Sequence, residues 1–323
     1  MKKPSPEIVE FEITLSCPLR CLHCYCRAGE SDEQPSTAEV RSVLKQLKKA
    51  GTHYVDLVGG EPLIREDITE IVAYAREIDQ SIMVNTNGVL LTQDFAKELK
   101  RANPHALFGV SIDGATPKTC DFVRGKGTFE KAVNAVQIFK AEGFKVVSLF
   151  VVNALNWTEF EEYVRLMITL GVDGIYVDRF VPVGRGADNA KILDMEPENW
   201  LKALKHVNTV VSKYADAMRF FVEESVSGEP CSAGKVHASI LADLRVVPCG
   251  HFRYDQRFTM GSLREKSFEE IWKTYPGLFS THSHGDECVG CFAYSLARTG
   301  EICMDKVIYA LLKEKQLEKE AMV

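Results

Sequence analysis

VEFEITLSCPLRCLHCYC, residues 9–26, decides how the chain is read. Residues 9–15 alternate apolar side chains with glutamate and threonine, which predicts a β-strand. The strand empties into a loop that carries Cys17, Cys21, Cys24 and Cys26. A disulfide staple, a zinc knuckle and an iron–sulfur cluster all use cysteines at such spacing. Disulfides require an oxidising compartment. The residues before the loop, MKKPSPEIVEFEIT, contain no uninterrupted apolar segment of the kind a secretory signal needs. No stretch is apolar over the length of a membrane span. The expected location is the cytoplasm, where ten cysteines stay reduced, which argues for metal or cluster ligation over disulfides. A net charge of −6 without a dense basic run argues against a nucleic-acid partner.

Outward from the loop, the pattern repeats. STAEVRSVLKQLKKAG, residues 36–51, has capping-box spacing at Ser36 and Glu39, with Val40, Val43, Leu44 and Leu47 on one helical face. Strands are predicted at 54–58, 81–84, 107–112, 146–152 and 174–180, alternating with helices near 68–78, 92–102, 128–143 and 158–170. Six βα units imply a parallel sheet covered by helices. A closed barrel needs eight strands, so the expected fold is α/β: a partial (β/α)6 TIM barrel with a small C-terminal cysteine-rich module. Unusual residues gather where these strands end: GGEP at 59–62, NTNG at 85–88, Asp113-Gly114, Asn153 and PVGRG at 182–186. Active sites of α/β folds lie at those ends.

Beyond a long helix near 196–214 the pattern changes. Cys231 and Cys249 bracket a predicted hairpin, and Cys288 and Cys291 form a C-x2-C pair. A short capped helix is expected at 267–273 and an amphipathic one after Cys303. The expected division is a barrel over residues 1–222 and a module over 223–323. Four thiolates in two pairs suit a closed cubane and equally a structural zinc. In the first loop, Cys17, Cys21 and Cys24 supply three thiolates and leave one metal position open, as a catalytic site requires. A zinc reading would draw a fourth ligand from Cys26 or His23.

CPLRCLHCY after the first strand, GGEP after the second, NTNG after the third and VSIDG after the fourth resemble the radical S-adenosylmethionine (SAM) superfamily over about the first 220 residues. The later cysteines resemble the Twitch module, a truncated relative of the SPASM domain. The resemblance implies a [4Fe–4S] cluster on Cys17, Cys21 and Cys24 whose open iron chelates SAM. It also implies one auxiliary [4Fe–4S] cluster on Cys231, Cys249, Cys288 and Cys291. It carries SAM-binding roles to Gly59, Gly60, Glu61, Ser111 and Arg124, with Tyr25 offering backbone groups to adenine. Asn85, Asp113 and Asn153 are further strand-end candidates. His23 is expected to pack near the cluster, and Arg185 to reach the pocket.

The implied activity is reductive cleavage of SAM to a 5′-deoxyadenosyl radical. That radical takes hydrogen from an unactivated carbon of a peptide or small-molecule substrate, giving oxidation or bond formation. A flavodoxin- or ferredoxin-type protein would supply the electron. Few residues precede the first strand, so a peptide-binding winged helix is not expected there. Among the three remaining cysteines, Cys26 and Cys120 read as small buried hydrophobes. Cys303 reads as a candidate hydrogen donor, the role it would fill in an epimerase. The rival from another class is a non-catalytic iron–sulfur or zinc protein that carries electrons or senses redox state.

Overall fold

The computed structural model describes residues 5–229, 231–277, 290–302 and 305–321. Cys288 and Cys303 lie outside the described residues. Strands β1 (Ile8–Thr14), β2 (Tyr54–Gly59), β3 (Ser81–Thr86), β4 (Leu107–Ser111), β5 (Lys145–Val152) and β6 (Gly174–Arg179) stand side by side in chain order. Every neighbouring pair is parallel. Helices α1 (Thr37–Ala50), α2 (Ile68–Glu77), α3 (Gln93–Ala102), α4 (Pro117–Arg124), α5 (Thr128–Ala141) and α6 (Phe160–Leu170) form the crossovers. The partial-barrel expectation therefore holds.

Local chemistry explains the joints. Ser36 and Glu39 cap α1 reciprocally, and Gly51 ends it in the left-handed region. The connection after β4 holds two helices where the sequence indicates one. Pro117 starts the added α4, and Gly125 ends it.

Side-chain alternation sorts the strands into two faces. Val9, Phe11 and Ile13 of β1 are fully buried against the helical layer. Glu10, Glu12 and Thr14 take the opposite face, toward the barrel interior. Charge at interior positions of a parallel strand needs partners or a function.

The sheet runs past the six expected strands in both directions. A short β7 (Phe220–Val222) pairs parallel with β6. On the other side β8 (His237–Ile240) joins β1 in parallel, followed by β9 (Arg245–Val247) and β10 (Gly261–Ser262), both antiparallel to their neighbours. The expected hairpin forms, and it is also stitched onto the barrel. Buried Glu12 of β1 ion-pairs with Arg253 and accepts the Ala242 N–H at 3.2 Å. Cys231 and Cys249, which flank this hairpin, are thereby brought beside the first cysteine loop.

Candidate functional site

A cavity of about 320 Å³ opens at the C-terminal ends of the strands and continues into the barrel interior. Cys17, Cys21 and Cys24 line it, and so do Cys231, Cys249 and Cys291. All six are only partly buried. The first loop is held mainly through its backbone. Arg185 donates to the carbonyls of Cys21 at 3.2 Å and Ala28 at 2.9 Å, and its own N–H reaches the Cys24 carbonyl at 2.9 Å. Glu30 anchors the same guanidinium at 2.8 Å. Arg185 lines the cavity as expected, and it also braces the whole loop.

The second loop docks on the first. Glycine at 60 is required because a Cβ there would collide with the Ser16 carbonyl oxygen. Gly59 adopts φ +132°, where other residues are strained. This close approach lets Gly60 N–H donate to the Thr14 carbonyl at 2.7 Å and Glu61 N–H to the Ser16 carbonyl at 2.9 Å. Both glycines line the cavity, as do Tyr25, Asn85, Ser111 and Arg124. The Asn85 side-chain oxygen is buried with no hydrogen-bond partner.

Three expected wall residues lie behind the wall instead. Glu61 is fully buried and accepts from Thr86 Oγ1 at 2.6 Å, Asn87 N–H at 2.7 Å and Leu63 N–H at 3.1 Å. Its carboxylate is spent joining the second loop to the third. Burial nevertheless pushes it up to about 7, against those bonds. Asp113 is fully buried, takes Arg124 Nε at 2.6 Å and the Val151 N–H at 2.8 Å, and lies 3.1 Å from His23 Nε2. Burial opposes its charge, but Arg124 and His23 hold it well below the usual carboxylate range. Asn153 is fully buried and closes its own turn, donating to the Val151 carbonyl and accepting from the Leu155 N–H, each at 3.0 Å. These residues shape the site without facing it. His23 itself lines the cavity.

The cavity thiols are shifted in opposite directions: the hydrogen bond with Cys26 draws Cys24 down to about 5, against its burial. Burial pushes Cys21 up to about 12 and Cys231 up to about 11, and raises Cys249 and Cys291 as well. A metal would have to displace their protons. Among the described residues no three His, Cys, Asp or Glu side chains are gathered at single-ion spacing. A polynuclear cluster takes thiolates spread around it, and the cavity-lining trios suit such a group.

Sequence reading missed the cavity floor. Glu10, Asp56, Asp178, Glu223 and His237 line it. The strand register sets Ser239, Glu10, Asp56 and Met83 in one row across β8, β1, β2 and β3. Ser239 and His237 support Glu10, which is drawn down to about 2 despite burial. The same pairing lifts His237 to about 9 against its burial. Asp56 has no hydrogen-bond donor among the described residues, and burial together with nearby Glu10 pushes it up to about 7. The signal was present in the sequence, as acids at inward strand positions: Glu10 on β1, Asp56 on β2 and Asp178 on β6.

Asp56 therefore destabilises the folded protein once it ionises. The folded state binds its proton up to about pH 7, while an unfolded aspartate releases it near pH 4. Stability must fall as pH rises through that window, by up to about 4 kcal/mol. Asp56→Asn is expected to raise the melting temperature by several degrees at pH 8 and by little at pH 5. Melts at the two pH values check this, and an equal shift at both would refute it.

Fold and cavity together define an iron–sulfur enzyme with two thiolate sets on one partial barrel. Residues 11–167 match the Radical SAM superfamily and residues 231–292 match an iron–sulfur cluster-binding domain, SPASM. The chain belongs to the radical SAM superfamily and carries a C-terminal SPASM-type module. Its cofactors are SAM, the [4Fe–4S] cluster that cleaves SAM, and auxiliary iron–sulfur chemistry.

The chain is 26% identical to the AdoMet-dependent heme synthase of Methanosarcina barkeri, over 92% of this chain and 94% of that protein. It is 28% identical to the mycofactocin maturase MftC of Mycobacterium tuberculosis, over 93% of this chain and 78% of that one. SuiB of Streptococcus suis, solved bound to S-adenosylmethionine, superposes with a TM-score of 0.76 at 17% identity, covering 94% of this chain and 77% of SuiB. That likeness concerns the fold. Among the described residues no helix is long and apolar enough to cross a membrane.

Proposed function

We propose that this chain removes a hydrogen atom from an unactivated carbon of a peptide or natural-product substrate, with net oxidation or bond formation. SAM and its cluster, when bound, would supply the 5′-deoxyadenosyl radical, the cluster giving the electron that breaks the SAM carbon–sulfur bond. One observation carries the proposal: Cys17, Cys21 and Cys24 share a single cavity with Cys231, Cys249 and Cys291. A substrate held there lies between the site where the radical arises and a second centre able to take up an electron.

In this reading Cys17, Cys21 and Cys24 hold the first cluster. Cys231, Cys249 and Cys291, with Cys288, hold the auxiliary one. Gly59 and Gly60 offer close backbone approach to SAM. Arg124, aimed by Asp113, presents its guanidinium to the SAM carboxylate. Asn85, Ser111 and the Tyr25 backbone complete the pocket. The acidic floor offers acceptors to substrate N–H and O–H groups. The barrel is assigned to residues 1–222 and the module to 223–323. A flavodoxin- or ferredoxin-type donor supplies the electron.

A peptide substrate is favoured by two likenesses. MftC is a maturase, and SuiB has been solved bound to the precursor peptide SuiA. The test is anaerobic reconstitution with iron and sulfide, followed by SAM and a strong one-electron reductant. 5′-Deoxyadenosine, followed by mass spectrometry, is expected to accumulate with time. No accumulation from protein with an intact cluster sinks the proposal.

A further inference from the structure

The sequence makes Cys26 look like filler, and its surroundings give it work. Its side chain is 4% exposed, in contrast to the partly exposed Cys17, Cys21 and Cys24. It packs with Leu15 at the end of β1, with Ala28, and with Ala242 in the turn between β8 and β9. Its sulfur lies 3.7 Å from Cys24 Sγ and 3.5 Å from the Gly59 carbonyl oxygen. One thiol hydrogen thus faces two acceptors. The first is the last cysteine of the C-x3-C-x2-C motif. The second is the carbonyl of the first glycine of GGEP.

We infer that Cys26 is a positioning residue for the SAM-cleaving centre: its thiol donates its single hydrogen to the Cys24 sulfur from a seat packed against the Gly59 carbonyl. The inference rests on the proposed assignment of Cys17, Cys21 and Cys24 as cluster ligands. When Cys24 binds iron as a thiolate, the contact becomes a charge-assisted S–H···S bond. The Ala28 N–H supplies Cys24 with a second donor at 3.3 Å. Donors to a ligand sulfur stabilise the more negative, reduced cluster and so raise its potential. Packing against the Gly59 carbonyl seats the Cys26 sulfur beside the GGEP loop. Cys26 lines the same cavity as the other cysteines, so iron content in its variants is what separates positioning from ligation.

Cys26→Ala and Cys26→Ser are reconstituted in the full-length chain and titrated electrochemically. The readout is the paramagnetic signal that changes when SAM is added, which separates this cluster from the auxiliary one. Iron content is expected to match the wild type in both variants. At a fixed applied potential, the reduced-to-oxidised ratio is expected to fall about tenfold in Cys26→Ala, equivalent to about 59 mV for one electron. Cys26→Ser, which keeps a donor, recovers part of the loss. SAM cleavage by the alanine variant slows with a weak reductant and returns toward wild type with a strong one, an outcome that a packing defect would not give.

An unchanged potential in folded Cys26→Ala overturns the inference. A loss of iron in either variant overturns it too, by making Cys26 a ligand. The underlying assignment fails by a different result, namely a SAM-responsive cluster that persists in Cys24→Ala.

Discussion

A Cys17→Ala/Cys21→Ala/Cys24→Ala variant is expected to lose SAM cleavage by about a thousand-fold or more while keeping its second iron–sulfur centre. The three thiolates act as one unit, so losing them removes the entry point for the electron instead of weakening one contact. The complementary Cys231→Ala/Cys249→Ala variant is expected to keep forming 5′-deoxyadenosine and to lose modified substrate. The two sets share a cavity, but they belong to different segments, with the first loop following β1 and Cys231 and Cys249 flanking the β8–β9 hairpin. Removing either leaves the other's backbone supports in place. Iron and sulfide counts, the visible spectrum and 5′-deoxyadenosine formation check both variants. Equal loss of SAM cleavage in the two would show that the sets are not separable.

Asp113→Asn is expected to destabilise the protein by about 3–5 kcal/mol, the cost of leaving a buried charge without its partner. Asp113 and Arg124 are both buried, and the carboxylate also holds the Val151 N–H and stands beside His23. An amide keeps the shape but leaves the guanidinium uncompensated. A melting-temperature fall of about 10 °C follows for a chain of this size.

The pH dependence identifies the cause. Because the folded carboxyl lies below its unfolded value, the unfolded state binds more protons below about pH 4, and the stabilisation is lost as pH falls through the folded pKa. The gap between wild type and Asp113→Asn should be constant from pH 8 to pH 5 and close only in strong acid. A gap that closes near neutral pH would refute the Asp113 carboxylate as the cause. In the reconstituted enzyme the same variant should raise the SAM requirement, since Arg124 loses the group that aims it.

Much of this protein was determined by sequence alone, and the physical reason is locality. The βα alternation, the capping box at Ser36 and Glu39 and the second one at Ser267 and Glu270 are set by residues a few positions apart. The motif of Cys17, Cys21 and Cys24 is equally local, and so is GGEP, whose glycines the chain needs in order to pass close to Ser16. Other features depend on partners far away in the chain. Glu61 and Asp113 end strands like their neighbours, yet both turn away from the cavity because Thr86 and Arg124 claim them. Arg185 braces a loop more than 150 positions before it.

Cys26 gains its seat from a carbonyl on the next strand. The acids of β1, β2 and β6 become a floor only when the sheet curls and β8 is laid beside β1. Local pattern fixed the elements and the ligand spacing. Only the tertiary structure decided which side chains face the cavity, because direction is settled by hydrogen bonds and ion pairs between segments that the sequence keeps far apart.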